Sequence, residues 1–251
     1  MTDYFRRELS SWYSPRLGMQ MPIASYGHWG HALLIYPAAE ADYLDVERFG
    51  LIDAVRPLIE SGRVRAFSIN SINRHAWANE AVPMHEKAYR QFLYSGYIED
   101  EVVRHIRHRL QDPHARIATC GAAFGAFHAS NQFFRRPDLF DCVIGMSGMY
   151  DLAQVLGGYS DPNCYYNNPS WFVPRLSEEG FQLEFLRHRS QIHLLAGQGA
   201  FEHPEWAIDF SRMLSSCSIP HNLDLWGRDM PHDWSTWRKM LPYYVGERLG
   251  F

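Results

Sequence analysis

The chain of 251 residues has little of what would assign it at once to a specialised class. Its four cysteines, Cys120, Cys142, Cys164 and Cys217, are widely spread with no CxxC pair, which argues against a structural zinc site and against a dense disulfide framework. No run approaches the roughly 20 apolar residues of a membrane-crossing helix; the longest are short pieces such as Ala32 to Tyr36. The opening text MTDYFRRELSSWYSP carries charges where a secretory leader needs a continuous apolar stretch, so a soluble, cytoplasmic protein with no membrane partner is expected. No charge of one sign dominates either. With 24 Lys+Arg against 28 Asp+Glu the net charge is -4, the basic pairs Arg6/Arg7 and Arg135/Arg136 are isolated, and nucleic acid is not expected as a partner. Ordinary glycine and proline counts exclude collagen-like and low-complexity classes. Neither GxGxxG nor GxxxxGK[ST] occurs, so no cofactor is expected. No spacing supports a metal site, His31, His75 and His128 included.

What is present is 46% hydrophobic residues, 15% aromatic residues with eight Trp, and thirteen His. A chain of this size buries roughly three quarters of the surface its unfolded form exposes. From Ser10 the text suggests two extended segments around a turn, followed by a strand at Ala32–Pro37. Phe49, Ile52, Val55, Leu58 and Ile59 predict a helix over Val46–Ile59, stopped at Gly62. Val64–Ile69 is the next strand, and the loop after it carries Asn73, His75 and Trp77. Tyr89, Phe92, Leu93, Val102, Val103, Ile106 and Leu110 predict one side of a long helix over Glu86–Leu110, broken near Gly96 and ended by Asp112-Pro113. The run ARIATCG then passes into AAFGAFHASNQFFRR, a strand joined to a helix with no spare residue. Further strands fall at Cys142–Met146, Gln191–Leu195 and Asn222–Trp226. This alternation predicts an α/β fold, a mainly parallel sheet with helices on both faces and an antiparallel N-terminal strand pair. One domain over residues 1–251 is the economical organisation, with residues 157–187 as an inserted cap or loop.

The most informative stretch is Gly121-Ala122-Ala123-Phe124-Gly125. A sharp strand-to-helix elbow strains its apex residue and needs small neighbours two positions to either side, the geometry of the G-x-S-x-G nucleophile motif. Gly121 and Gly125 fill the flanking places, but the apex is Ala123, which has no nucleophilic atom. Packing alone also accounts for two glycines four apart after a strand. The remainder of the chain supplies further parts in a matching order, with Glu202 after one late strand and His232 in GRDMPHDWSTW after the last. Cys120, Ser130 and Ser147 lie nearby in sequence, but none is at the apex.

On GAAFGAFHASNQFFRRPDLFD, SGMYDL, GQGAFE and HDWSTWRKMLPYY the chain resembles the esterase family of α/β-hydrolases that includes esterase D (S-formylglutathione hydrolase) and the mycolyltransferases, over nearly its whole length. The resemblance implies the α/β-hydrolase fold and a serine esterase acting through an acyl-enzyme on a small-molecule ester. It also implies site residues: Ala123 at the nucleophile position, where the family pattern has serine, His232 as base, and Glu202 as acid, with Glu205 and then Asp209 as alternatives. Backbone N–H groups of Phe124 and of Ala39 or Glu40 would form the oxyanion hole. Trp77, Tyr150, Tyr165, Tyr166, Trp171, Phe172 and Trp234 fall on loops at the carboxyl edge of the strands. Of these, Trp77, Tyr150, Trp171 and Trp234 are the candidates for a substrate pocket. The apex alanine leaves two readings open: an inactivated variant of an active esterase, or a natural non-catalytic protein of this fold that binds a small molecule or a partner.

Overall fold

Period-two burial along the central strands gives the sheet an apolar core on each side. In β3 (His31–Tyr36), Ala32, Leu34 and Tyr36 enter one cluster while Leu33 and Ile35 enter the other, because successive side chains of a pleated strand point to opposite faces. A computed structural model describes residues 4–249, so the terminal residues of the expected span 1–251 lie outside it.

In chain order the strands and helices are β1 (Arg7–Ser14), β2 (Met19–Tyr26), β3, α1 (Asp45–Arg48), α2 (Leu51–Glu60), β4 (Val64–Ile69), α3 (Met84–Tyr97), α4 (Val103–Leu110) and β5 (Ile117–Ala122). There follow α5 (Phe124–Arg135), β6 (Phe140–Met146), α6 (Ala153–Leu156), α7 (Pro162–Tyr165), α8 (Pro169–Phe172), α9 (Phe181–His188), β7 (Gln191–Ala196), α10 (Pro204–Ser216), β8 (Asn222–Leu225) and α11 (Trp234–Pro242). The strands make one eight-stranded sheet in the order β1-β2-β4-β3-β5-β6-β7-β8. β2 runs antiparallel to both β1 and β4, and every other neighbouring pair is parallel. Parallel neighbours need long crossovers, and helices supply them on both faces. α2 and α11 bury Ile52, Val55, Trp237 and Met240 on one side, while α3, α4, α5 and α10 bury Tyr94, Ile106, Phe133 and Phe210 on the other. No helix among the described residues is long and apolar enough to cross a membrane.

Three local readings of the sequence are corrected. The helix expected over Val46–Ile59 is two helices, because Gly50 at φ 74 takes the left-handed conformation that ends one and starts the next. The helix expected over Glu86–Leu110 does not break at Gly96; the chain winds on from α3 through a π-helical turn, Ile98–Val102, into α4. A π-turn inserts one extra residue, so the apolar stripe of α4 projected backwards lands one position late. The buried side is therefore Ala88, Gln91, Tyr94 and Ile98, while Tyr89 and Phe92 are 47% and 39% exposed and stack on each other. Gly96 has a different reason, since the Arg16 guanidinium occupies the place a Cβ would take. The third is Tyr150, which is buried rather than at a pocket.

The chain between β6 and β7, which includes residues 157–187, folds into the short helices α6 to α9. Buried polar contacts bind it to the helices beside the sheet: Asn167 Oδ1 accepts from Ser95 Oγ of α3 at 2.6 Å and from Asn131 Nδ2 of α5 at 3.1 Å.

The elbow between β5 and α5 brings two backbones into close approach. A Cβ on Gly121 would stand 2.3 Å from the carbonyl group of Gly125, and one on Gly125 would stand 2.6 Å from the Tyr36 carbonyl oxygen. Between them Ala123 sits at φ 52, ψ -120, a conformation that costs a non-glycine residue about 1 to 3 kcal/mol. Two substitutions should therefore move stability in opposite directions in urea unfolding. Ala123→Gly relieves the strain and returns part of it as unfolded-chain entropy, for a net gain of about 1 kcal/mol. Gly121→Ala forces strand and helix apart and should cost about 2 kcal/mol or more.

Candidate active site

Two loops beyond the carboxyl ends of β7 and β8 are laced together through their backbones. Gly199 N–H donates to the Met230 carbonyl at 2.9 Å, and His232 N–H donates to the Ala200 carbonyl at 2.9 Å. The approach requires glycine, because a Cβ on Gly197 would lie 2.2 Å from the Met230 oxygen. Phe201, at φ 63, turns its ring out to 87% exposure and leaves the next side chain, Glu202, directed inwards and only 1% exposed.

The Glu202 carboxylate is held on one oxygen and faces His232 with the other. Oε1 accepts from Ser147 Oγ at 2.5 Å, and Oε2 faces His232 Nδ1 at 3.6 Å. Ser147 Oγ in turn accepts from Trp237 Nε1 at 3.0 Å, and the Trp237 ring stands at 85° to the His232 ring with centroids 5.4 Å apart. Neither Glu202 Oε2 nor His232 Nδ1 has a hydrogen-bond partner elsewhere. A separation of 3.6 Å is longer than a hydrogen bond. The other two carboxylates considered are engaged elsewhere: Glu205 pairs with His203 at 2.8 Å and Asp209 with Arg212 at 2.8 Å, both exposed.

The elbow joins this group through β6. Ala123 N–H donates to the carbonyl of Met146 at 3.0 Å, and the next residue is Ser147, itself in the left-handed region at φ 48. Helix α5 begins at Phe124, whose N–H belongs to the first turn and has no intrahelical carbonyl to meet. The loop after β3 abuts the same helix start, and its carbonyls are tied back. Asn73 Nδ2 donates to the Ala39 oxygen at 2.6 Å and Arg74 Nε to the Glu40 oxygen at 2.9 Å. In a trans peptide the N–H points opposite to the preceding carbonyl, so anchoring Ala39 C=O turns the Glu40 N–H away from Asn73. Asn73 is fixed by His128, whose Nε2 lies 3.0 Å from its Oδ1.

His128 is fully enclosed among the rings of Tyr36, Tyr94, Phe124 and Phe127. Burial, which disfavours the charged imidazolium, pushes its pKa down to about 3.

Of the candidate pocket aromatics, Trp77 meets Phe124 with ring centroids 6.5 Å apart, and both, with Trp171 and Trp206, pack against one buried cluster around Phe127 and Leu152. Trp77 Nε1 is held by Gln91 Oε1 at 2.9 Å. Trp234 lies apart from them, stacked on Phe49 at 4.9 Å and edge-on to Trp237. Tyr150 lines no pocket. It is 1% exposed, its hydroxyl donates to the Gly145 carbonyl at 3.1 Å and its ring stacks on Phe210 at 4.9 Å, because it turns back under the sheet edge where Gly145 leaves room. Sequence reasoning weighed Ser147 only as a stand-in for the nucleophile and missed its hold on Glu202, and it missed Trp237 altogether. The second Trp of HDWSTW, three residues after Trp234, carried a signal for Trp237. Among the described residues no group of three or more His, Cys, Asp or Glu gathers as a metal site.

A pH dependence of stability follows from His128. Its folded pKa of about 3 lies below the usual histidine value of about 6.5, so between these limits the unfolded chain binds one proton more. Stability is then full above about pH 6.5 and falls as pH drops, by up to about 1.4 kcal/mol per pH unit. His193, pushed down to about 4 by burial and by Arg248, adds a loss of the same sign. In urea unfolding between about pH 4 and pH 6.5, His128→Gln should show a shallower slope than the parent chain; an unchanged slope contradicts a neutral buried His128.

No family model matches this chain, and no curated protein matches it. Solved structures do. A ferulic acid esterase is 16% identical with a TM-score of 0.71, covering 96% of this chain and 96% of its own. The fluorophosphonate-binding serine hydrolase FphF of Staphylococcus aureus is 15% identical with a TM-score of 0.74, covering 96% and 97%. An S-formylglutathione hydrolase from Agrobacterium tumefaciens is 14% identical with a TM-score of 0.69, covering 100% and 98%. Together with the strand order, the crossovers on both faces and the elbow after β5, these likenesses establish that the chain has the α/β-hydrolase fold.

Proposed function

We propose that the chain carries the site of a serine esterase from which the nucleophile is missing, so that it binds carboxylic esters with turnover near background, as an inactivated variant of an active esterase does. The observation that carries this reading is the elbow. Ala123 holds the strained φ 52, ψ -120 conformation of a nucleophile apex, one hydrogen bond from the strand end that leads into Ser147, Glu202 and His232. Such strain has no packing purpose that glycine would not serve better. The names of the similar structures, a ferulic acid esterase and an S-formylglutathione hydrolase, support an ester or thioester as the substrate class.

In the form with serine at position 123, the hydroxyl oxygen attacks the acyl carbon while His232 Nε2 takes its proton. Glu202 holds the Nδ1 proton and stabilises the imidazolium. The negative oxygen of the tetrahedral intermediate receives the N–H of Phe124 and that of Glu40 or Ala39, which depend on no side chain and persist with alanine at the apex. The intermediate collapses, the C–O bond breaks, and His232 returns the proton to the leaving alcohol. Water, deprotonated by His232, then releases the acid from the acyl-enzyme. Trp77, whose ring meets that of Phe124, and Trp171, packed on the same buried cluster, give an aromatic wall for the acyl or alcohol group, and Trp234 lies edge-on to Trp237, the ring beside His232.

Losing the nucleophile costs on the order of 10^6 in kcat. Ala123→Ser should accordingly raise hydrolysis of short p-nitrophenyl esters by about 10^4-fold or more, and His232→Ala added to it should remove the gain. A folded Ala123→Ser protein without esterase activity overturns the proposal in favour of non-catalytic ligand binding.

A further inference from the structure

The edge of the sheet opposite the candidate active site holds a second concentration of charge. A cleft of about 940 Å³ opens at the amino ends of β3 to β6, between the turn before β3 and the loop joining α4 to β5. Four arginines, Arg6, Arg65, Arg109 and Arg116, and four of the thirteen histidines line it, against two aspartates, Asp112 and Asp141. The chain as a whole carries a net charge of -4, so this basic surface is a local feature.

Arg65 is the unusual member. Only 6% of the residue is exposed, its Nη1 donates to the Arg109 carbonyl at 2.7 Å, and its Nε is buried with no partner. No carboxylate among the described residues pairs with it. Burial first, and then the nearby Arg6, lower its pKa. A buried cation without a counter-ion is costly, and the carbonyl end of α4 offsets only part of that cost. The neighbours do not resolve the imbalance. Arg109 is already paired with Glu8, a carboxylate that Arg6 also meets, so among the described residues it brings Arg65 no free negative charge. Arg116, further along the cleft, directs its Nη groups at the carbonyls of Arg189, Pro137 and Phe140 and makes no ion pair among the described residues, although Asp141 and Asp138 lie near enough to attract it.

We propose that this cleft binds a phosphoryl-bearing anion, with the guanidiniums of Arg65 and Arg109 as its recognition pair. Guanidinium forks match phosphate oxygens in geometry and stay charged throughout the working pH range. Trp29, 72% exposed and lining the same cleft, offers a stacking face to an organic phosphate carrying a planar ring. The site is independent of position 123 and of any esterase chemistry.

Calorimetric titration of the full chain with inorganic pyrophosphate and with adenosine diphosphate tests the proposal. One-site binding is expected. Arg65→Met and Arg109→Gln should each weaken it about tenfold or more, the loss of one charge-assisted contact. Glu8→Gln, which removes the competing carboxylate, should tighten it. Arg109 and Glu8 side chains are 28% and 27% exposed, so those two variants keep the test available if Arg65→Met does not fold. Tighter binding of adenosine diphosphate that is lost in Trp29→Ala identifies an organic phosphate; equal affinity for both anions identifies inorganic phosphate. No binding of either anion at about 10 mM, weaker than any Kd in the millimolar range, overturns the proposal. So does binding that Arg109→Gln and Glu8→Gln both leave unchanged.

Discussion

The contact between the backbones of β5 and α5 is the constraint on which the candidate site depends. Gly121 and Gly125 let strand and helix meet at a distance no Cβ would permit, and the chain can turn that sharply only by placing the residue between them at positive φ. From this one turn follow the position of the Ala123 side chain at the carboxyl edge of the sheet, the start of a helix whose first N–H groups are free, and the abutment of the loop after β3. Residues that supply no side-chain chemistry thus decide where any chemistry would take place.

Around the elbow, buried polar groups are arranged so that each holds the next. Trp237 fixes the Ser147 hydroxyl, Ser147 fixes Glu202, and Glu202 faces His232. On the other side His128 fixes Asn73, and Asn73 fixes the Ala39 carbonyl. A buried donor or acceptor left without a partner costs about 1 to 3 kcal/mol, so each series resists the loss of any member. Such rigidity suits a site that must present its donors before a ligand arrives.

The two edges of the sheet differ in charge. The carboxyl edge gathers one buried carboxylate, one imidazole and aromatic rings; the amino edge gathers guanidiniums with too few carboxylates to match them. Helix geometry contributes to the difference, since α5 presents its N–H end at the first edge and α4 its carbonyl end at the second. An ester and a phosphorylated anion are the ligands proposed for these opposed environments.

Much of this was legible in the sequence, for physical reasons that can be named. Strand and helix periodicity, the two glycines of the elbow and the placement of Glu202 and His232 after late strands all leave local traces, because each depends on spacing along the chain. The π-turn at Ile98–Val102 left no trace and displaced the expected apolar face by one residue. Tyr150 was indistinguishable from a pocket aromatic until the fold returned it beneath Gly145. Ser147 opens the segment SGMYDL, but its bond to Glu202 joins residues 55 apart in the chain. The unmatched charge of Arg65 is likewise invisible in a balanced composition. By itself the sequence determined the fold class, the elbow and the alanine at its apex. Only the tertiary structure decided which carboxylate faces His232, what holds it there and where cations outnumber their partners, because those are contacts between segments whose separation along the chain carries no information about their distance in space.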